Sequence, residues 1–448
     1  MKWVFLLGLI VLTPFLATHL RNNPRDLPKA AFAIGILPFL LSGLNLTASP
    51  ISWPHWPGSV KGLDVSLIDT VALAVLYATK PAKTPIALKL AFCIFLLGTI
   101  VSSLGSAVKM AALFYVWQLL RAVLVYWAVA RAATTVPGVP LAIVKGLLTG
   151  LGLQAIITAV QYAGGTPQAG GWFGHQNLLG LASHFAVYPA FALFLAGYYP
   201  KTTGLAVLSG LVVAFTGGSR ATIGLFAIGI CTTLLLSMWH RGSGRKAAIG
   251  AGMVFALLLA SPLFYSAIER RSSGVRAASN LERSNMINAA RMIIADYPLG
   301  TGPNRYVIVA NVGGYSARAG VAWNVENRQA PVHNTFYLVA AELGWLGLLG
   351  YLVLLASIIG IGMAALKKGQ RRYESEVLVG VVASIIVFVG HSYFEWGTMY
   401  YHIHYLLAIN VGLLVGLRSF LTARRSSPRL ATDEKFRERA AGSIPEVA

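Results

Sequence analysis

The sequence predicts an all-α polytopic membrane protein with about 12 transmembrane helices (roughly 11 to 13) and one long, partly helical periplasmic loop. Of the 448 residues, 56% are hydrophobic and only 11% are charged, whereas a soluble domain carries roughly 25% charged residues. So little charge excludes a soluble enzyme. Nucleic-acid binding would explain the formal net charge of +21. The apolar composition instead favours a membrane protein. We therefore expect membrane lipids, and no nucleic acid, as partners.

Apolar tracts along the chain are the candidates for these helices, because a spanning helix needs about 20 mostly apolar residues. Several tracts are short, which is why the predicted number of helices is a range. The first tract ends without a small-residue cleavage site, so it is predicted to be a retained helix. The tracts lie near residues 3–19, 31–48, 66–79, 86–104, 109–130, 140–164, 177–198, 203–216, 221–239, 247–265, 346–366, 376–395 and 401–419.

Lysines and arginines in the short loops set the predicted orientation. The basic tail at 420–448 is predicted to lie in the cytoplasm, and counting back places the loops with Lys367 and Arg245 on the same side. If every tract spans, the amino terminus lies outside. The chain then divides into transmembrane helices at 1–265, with short periplasmic elements near 171–177 and 217–220, a periplasmic loop at 266–345, further transmembrane helices at 346–419 and the tail.

The predicted periplasmic loop is rich in arginine and lacks lysine. Arginine presents a planar fork of donors that suits bidentate phosphate binding, whereas lysine is a point charge. The loop is either a basic, solvated connection or a site for a polyanion or a lipid pyrophosphate. Its arginines are Arg270, Arg271, Arg276, Arg283, Arg291, Arg305, Arg318 and Arg328, against the acids Glu269, Glu282, Asp296 and Glu326.

Two residues on the predicted outer side stand out as functional candidates. Arg220 lies where two apolar tracts meet, after Gly217-Gly218; a charge there is costly and usually functional, unless it snorkels to lipid head groups. His333 ends the arginine-rich loop at the membrane surface. A histidine titrates near neutral pH and accepts a proton from a sugar hydroxyl, although a lone histidine is more often structural.

Metal and nucleotide chemistry find little support in the sequence. His402 and His404 form a His-x-His pair, and His391 lies four residues before Glu395. Without cysteines or an Asp-rich motif nearby, this pattern favours a structural role over a metal site. The chain contains no Walker loop, dinucleotide fingerprint or Gly-x-Ser-x-Gly elbow. We therefore predict no metal and no cofactor.

Four motifs together resemble the O-antigen ligase and O-antigen polymerase superfamily. The resemblance covers roughly residues 165–365 well. In the family a Trp often follows the loop arginine by four residues, where this chain has Ile287, so Arg276 and Arg291 remain alternatives for that arginine. The motifs are Phe173-Gly174-His175-Gln176-Asn177, Ser219-Arg220, Arg283 with Pro298-Leu299-Gly300-Thr301-Gly302, and His333-Asn334-Thr335-Phe336 with Glu342-Leu343-Gly344-Trp345-Leu346-Gly347.

The resemblance implies a metal-independent, inverting glycosyltransferase of the bacterial inner membrane, with its active site facing the periplasm. Arg220 and Arg283 would hold the pyrophosphate of an undecaprenyl-pyrophosphate-linked glycan donor, and His333 would be the general base on the acceptor hydroxyl. The acceptor is the lipid A core in a ligase and a second lipid-linked glycan in a polymerase. Further predicted substrate-binding residues are Arg291, Arg305, His175, Asn177 and Asn334.

Several functions stay open at this level. A basic outer loop suits the phosphorylated lipid A core, which favours O-antigen ligase over polymerase. A transporter or flippase for an anionic lipid-linked glycan would also place arginine along its path, but the expected internal repeat is missing because the long loop occurs once. A non-enzymatic assembly or anchoring protein is disfavoured by the concentration of Arg and His on one side.

Overall fold

A computed structural model describes residues 2–255, 273–368 and 372–425 of the chain. Helices dominate the fold, as the sequence predicts. Arg270, Arg271 and the basic tail beyond Arg425 lie outside the described residues. In chain order the helices are α1 (Lys2–Asn22), α2 (Leu27–Leu40), α3 (Leu67–Ala78), α4 (Ile86–Gly105), α5 (Lys109–Thr135), α6 (Val139–Ala163), α7 (Gln176–Leu195), α8 (Pro200–Gly217), α9 (Arg220–Arg241), α10 (described at 244–255), α11 (Ser273–Asp296), α12 (Tyr306–Val312), α13 (Tyr315–Arg318), α14 (Val325–Arg328), α15 (Thr335–Lys368), α16 (Tyr373–His391) and α17 (Tyr401–Arg425).

Within the described residues, 8 helices are long and apolar enough to cross a membrane, namely α1, α4, α5, α6, α7, α9, α15 and α16. The chain is therefore a multi-pass membrane protein. Two predicted tracts form helices shorter than a membrane span, α2 with 14 residues and α3 with 12. The tract at 31–48 is helical only to its middle, because the chain turns after Leu41 and Asn45 adopts a positive φ of 51°.

A β-hairpin between α2 and α3 is the main departure from the predicted all-helical fold. Strands β1 (Thr47–Ser52) and β2 (Gly62–Ser66) pair antiparallel, with Thr47 opposite Ser66. Neither strand has the strict alternation of apolar and polar residues that would reveal it in the sequence. Asn304 holds the loop of this hairpin: its Oδ1 accepts from the Val60 N–H at 3.0 Å and its backbone carbonyl from the Trp56 indole at 3.2 Å.

Helix α7 is the buried centre of the helical bundle. In its most apolar stretch 94% of the residues are buried, against 17% in α1. Helix α16 packs directly on it, since a Cβ atom at Gly380 would lie 2.3 Å from the Pro189 Cα; small residues permit such close approach of membrane helices. Pro189 lies in the second half of α7, and the His175-Gln176-Asn177 motif lies at the amino-terminal end of the same helix.

Residues 273–334, which we call the connecting segment, contain α11 to α14 and a small core of their own. Apolar residues of α11 and α12 pack there against Val332 and Trp396. The helix that follows, α15, begins at Thr335, ahead of the tract predicted at 346–366, and is broken at Gly344, with φ 71° and ψ −174°.

The Pro-Leu-Gly and Glu-Leu-Gly motifs meet at this break. A Cβ atom at Gly300 would lie 2.4 Å from the Glu342 carbonyl oxygen, and one at Gly344 would lie 2.4 Å from the Leu299 carbonyl carbon. Glycine, which lacks Cβ and tolerates positive φ, permits this backbone crossing. The Glu342 carboxylate also accepts hydrogen bonds from the N–H groups of Asn304, Arg305 and Tyr306. The two motifs therefore anchor the connecting segment to α15.

Candidate active site

A large cavity of about 1570 Å³ lies where the amino-terminal ends of α7 and α9 face α11. Five residues predicted from the sequence line it, and they come from four separate stretches of the chain. Because these stretches are far apart in sequence, the fold itself brings them together. The five residues are His175, Asn177, Arg220, Arg283 and His333.

Arg220 is the first residue of α9 and is exposed in the cavity lining. The preceding residue, Ser219, caps the helix by accepting a hydrogen bond from the Thr222 N–H at 3.3 Å, and Gly218 turns the chain with a φ of 61°. The Arg220 guanidinium makes no hydrogen bond or ion pair with any residue in the described ranges. An unengaged cation beside the partial positive charge of a helix amino terminus is suited to binding an anion.

Glu395, between α16 and α17, is the common partner of three of the residues that line the cavity. Its buried carboxylate accepts a hydrogen bond from the Asn177 amide, and its Oε1 lies 3.9 Å from Nη2 of Arg283. Its Oε2 lies 3.5 Å from Nδ1 of His333. A buried carboxylate is costly unless paired and hydrogen-bonded. Glu395 therefore joins the start of α7, α11 and His333, two residues before α15, at one point.

The charges in this cluster shift the titration of its members. Burial opposes ionisation of Glu395, but its contact with His333 and the charges of His333, His391 and His175 bring its pKa below the ordinary value. For His175, burial is the main cause of a lowered pKa; Glu395 acts in the opposite direction and His333 in the same one. At neutral pH the site thus contains an ionised Glu395 beside a neutral His175.

Exposure separates the roles that His333 and Glu395 can have. The His333 side chain is 21% exposed and lines the cavity, whereas the Glu395 side chain is 1% exposed. A bound molecule therefore reaches the His333 ring but not the carboxylate behind it.

Three other predicted substrate-binding residues lie outside the lining of this cavity. Arg291 donates to the Tyr337 hydroxyl at 3.1 and 3.2 Å, and Nη1 of Arg305 donates to the Thr301 carbonyl at 2.6 Å. Asn334 accepts from the first N–H groups of α15, those of Phe336 and Tyr337. Each therefore holds the chain in place, and a role in binding substrate stays a prediction for all three.

These positions bear on which arginine occupies the family's loop position. Of the α11 arginines whose side chains the structure describes, Arg283 lines the cavity and Arg291 points to Tyr337. The side chain of Arg276, the other alternative, lies outside the described part. Of the two arginines that can be compared, Arg283 is therefore favoured over Arg291.

Amides and carboxylates form the wall of the cavity on the α11 side. Glu282 accepts a hydrogen bond from the Ala322 N–H at 2.9 Å, which holds the following turn against α11. Asn324 caps α14 by accepting from the Asn327 N–H at 2.7 Å. Asn280, Glu326 and Asn327 complete this wall. Such side chains offer both donors and acceptors, as sugar hydroxyls require.

Sequence analysis did not place Glu395 with the candidate site residues and noted it only as a partner of His391 in a possible metal site. Its position at the end of the apolar tract 376–395, between Phe394 and Trp396, was the available signal, since an acid at a membrane boundary is costly. The histidines of that interpretation have other partners. His391 contacts His184 at 3.1 Å, His402 contacts Ser42 at 2.8 Å, and His404 contacts Gln118 at 3.1 Å.

Comparison with known proteins supports the interpretation of the motifs. Residues 204–352 match the family model described as O-antigen ligase. No curated protein matches the chain. The matched segment contains Arg220, Arg283 and His333, while Glu395 and the His175-Gln176-Asn177 motif lie beyond its ends. The match confirms the resemblance of this chain to the O-antigen ligase and polymerase superfamily.

Proposed function

We propose that the protein transfers a glycan from undecaprenyl pyrophosphate to a sugar hydroxyl on the periplasmic face of the bacterial inner membrane, as an O-antigen ligase that joins polysaccharide to lipid A core. The family match indicates a membrane enzyme of the glycosyltransferase type. The observation that carries the proposal is the convergence of Arg220, Arg283 and His333 on one cavity.

The donor pyrophosphate binds between Arg220 and Arg283. Arginine matches phosphate oxygens with paired donors, and the amino terminus of α9 adds the N–H groups and partial charge of a helix end. As the glycosidic C–O bond to the pyrophosphate breaks, negative charge grows on the departing phosphate. Fixed cations at that position stabilise the transition state more than the ground state. Undecaprenyl pyrophosphate leaves without needing protonation by a carboxylic acid.

His333 acts as the general base on the acceptor. Its ring accepts the proton of the acceptor hydroxyl while that oxygen attacks the anomeric carbon from the face opposite the pyrophosphate. Attack from the opposite face inverts the anomeric centre. His333 is then an imidazolium, which later releases its proton to solvent. No metal ion is required for either the attack or the departure of the pyrophosphate.

A polymerase of the same superfamily is the second candidate, and the amide wall of the cavity favours it. Asn280, Asn324 and Asn327 suit neutral hydroxyls, and Glu326 repels phosphate. A repeat unit of neutral sugars fits such a wall better than a phosphorylated lipid A core does. The two candidates share the donor site and the base, and differ only in the acceptor.

Transfer by the purified protein tests the mechanism. The assay combines undecaprenyl-pyrophosphate-linked glycan with lipid A core or with a second lipid-linked glycan. We expect His333→Ala to abolish transfer while donor binding persists, and the exposed His55→Ala to behave as wild type. Full transfer by His333→Ala would remove the base assignment. Movement of donor across the bilayer without transfer would point to a flippase instead.

Deletion of the gene separates ligase from polymerase. Loss of a ligase leaves long polymer on the carrier lipid and none on the core. Loss of a polymerase leaves the core capped with a single repeat unit.

A further inference from the structure

The contact between His333 and Glu395 determines which ring nitrogen of the histidine faces the substrate. Nδ1 of His333 and Oε2 of Glu395 lie 3.5 Å apart, and neither buried atom has a hydrogen-bond partner elsewhere in the described ranges. A carboxylate only accepts, so the proton of the neutral imidazole belongs on Nδ1. The lone pair is then on Nε2, the nitrogen available to a molecule in the cavity.

From this geometry we propose that Glu395 is the positioning residue of the general base, an inference that rests on the proposed function. The carboxylate selects the Nδ1–H form of His333 and stabilises the imidazolium that forms as the acceptor hydroxyl loses its proton. The proton moves from the hydroxyl oxygen to Nε2, the Nδ1–H stays on the ring, and Glu395 remains ionised. The acidic member of the serine protease triad acts on its histidine in the same way.

The second carboxylate oxygen of Glu395 also fixes the distance between His333 and Arg283. Oε1 accepts from Asn177 and faces Arg283 at 3.9 Å. One rigid group thus sets the position of the base relative to a cation assigned to the pyrophosphate. Near-attack geometry between the acceptor oxygen and the anomeric carbon depends on such spacing, and a small displacement is costly for the rate.

The other titratable and charged groups around Glu395 come from every element packed against it. They are His175 before α7, Arg283 on α11, His333 before α15, His391 at the end of α16 and Tyr400 before α17. Burial raises the pKa of the Tyr400 phenol, and the Glu395 charge raises it further, so Tyr400 stays neutral. Glu395 is the one acid of this group, and therefore the one source of negative charge that favours an imidazolium at His333.

The test is the pair Glu395→Gln and Glu395→Asp in the full-length purified protein. The glutamine keeps the shape but loses the charge, so we expect kcat to fall by about 100-fold or more. The Michaelis constant for the donor should change much less. Without the carboxylate a protonated His333 is less favourable, so the acid limb of the kcat profile moves to lower pH. Aspartate should recover part of the rate and return the limb toward its wild-type position.

Comparison of Glu395→Gln with His333→Ala distinguishes failure of this inference from failure of the proposed function. A Glu395→Gln protein with wild-type rate and pH profile, beside an inactive His333→Ala, overturns the inference and leaves the base intact. A reduced rate with an unmoved acid limb also overturns it, because loss of folded protein lowers activity without changing the pH dependence. An active His333→Ala protein overturns the base assignment on which the inference rests, whereas a wild-type protein that transfers no glycan overturns the proposed function itself.

Discussion

Two groups of arginines in this molecule differ in what their guanidinium groups contact. Arg220 and Arg283 line the cavity; the first has no protein partner in the described ranges, and the second faces only Glu395 at 3.9 Å. Arg305 and Arg328, by contrast, donate to backbone carbonyls of the connecting segment. A guanidinium that already donates to the protein has fewer donors left for an anion. Some arginines of the connecting segment therefore hold its backbone in place. For that reason the abundance of arginine is a weaker argument for a phosphorylated acceptor.

Substitution of the two cavity arginines is expected to lower the transfer rate most. Arg220→Ala and Arg283→Ala should each lower kcat/KM by about 100- to 1000-fold, because each removes a preorganised cation from the developing charge. Lysine at either position should restore only part of the rate if paired donors matter. Transfer kinetics at saturating acceptor measure both, and Arg318→Ala is the matched control. Full activity of Arg283→Lys would mean that this position supplies charge alone.

Much of the fold was predictable because apolar length is a local property. Helices α4 to α7 follow from long, mostly apolar runs, and Arg220 attracted attention because it lies where two such runs meet. Glu395 was not recognisable in this way. Its meaning depends on Asn177, which lies 218 residues away in sequence, and on Arg283 and His333, which only the packing of α7, α11 and α15 brings near. The β-hairpin was missed for a related reason, since Asn304 holds its loop from a distant part of the chain.

A smaller effect is expected at an arginine that supports the cavity wall without lining it. Arg328 donates to the Val321 carbonyl at 2.5 Å and the Ala322 carbonyl at 3.2 Å, and it stacks on Trp323 at 4.0 Å. Arg328→Ala loosens the turn that carries Asn324. A loss of about 1 kcal/mol raises the Michaelis constant for the acceptor several-fold and leaves donor binding unchanged. Equal weakening of both substrates in binding assays would instead assign Arg328 to the pyrophosphate.

The histidines also divide into one that lines the cavity and others that are bonded within the protein. This difference predicts how stability depends on pH. His175 lines the cavity with a buried Nδ1 that lacks a partner among described atoms, whereas His402 is bonded to Ser42 and to the Pro38 carbonyl. Burial lowers the pKa of His175 below its unfolded value. The folded state therefore resists its protonation, and stability falls as the pH drops below about 6.5.

Thermal unfolding in detergent between pH 7.5 and 5 measures this effect. His175→Gln should flatten the dependence, whereas His55→Gln at an exposed position should not. Glu395 adds to acid sensitivity only at lower pH, because its own pKa is lowered from the ordinary glutamate range. A curve for His175→Gln that matches wild type would show that another group controls this range.

The smallest effect is expected at Arg291, two helical turns beyond Arg283 on α11. Its guanidinium donates to the Tyr337 hydroxyl and lies 5.5 Å from the centre of that ring, at an exposed position. Exposed contacts of this kind contribute little, so Arg291→Ala should keep transfer within about two-fold of wild type. The sequence alone left Arg291 as an alternative to Arg283 at the family's loop position. A 100-fold loss in Arg291→Ala with an active Arg283→Ala would exchange the two assignments and require the pyrophosphate to bind farther along α11.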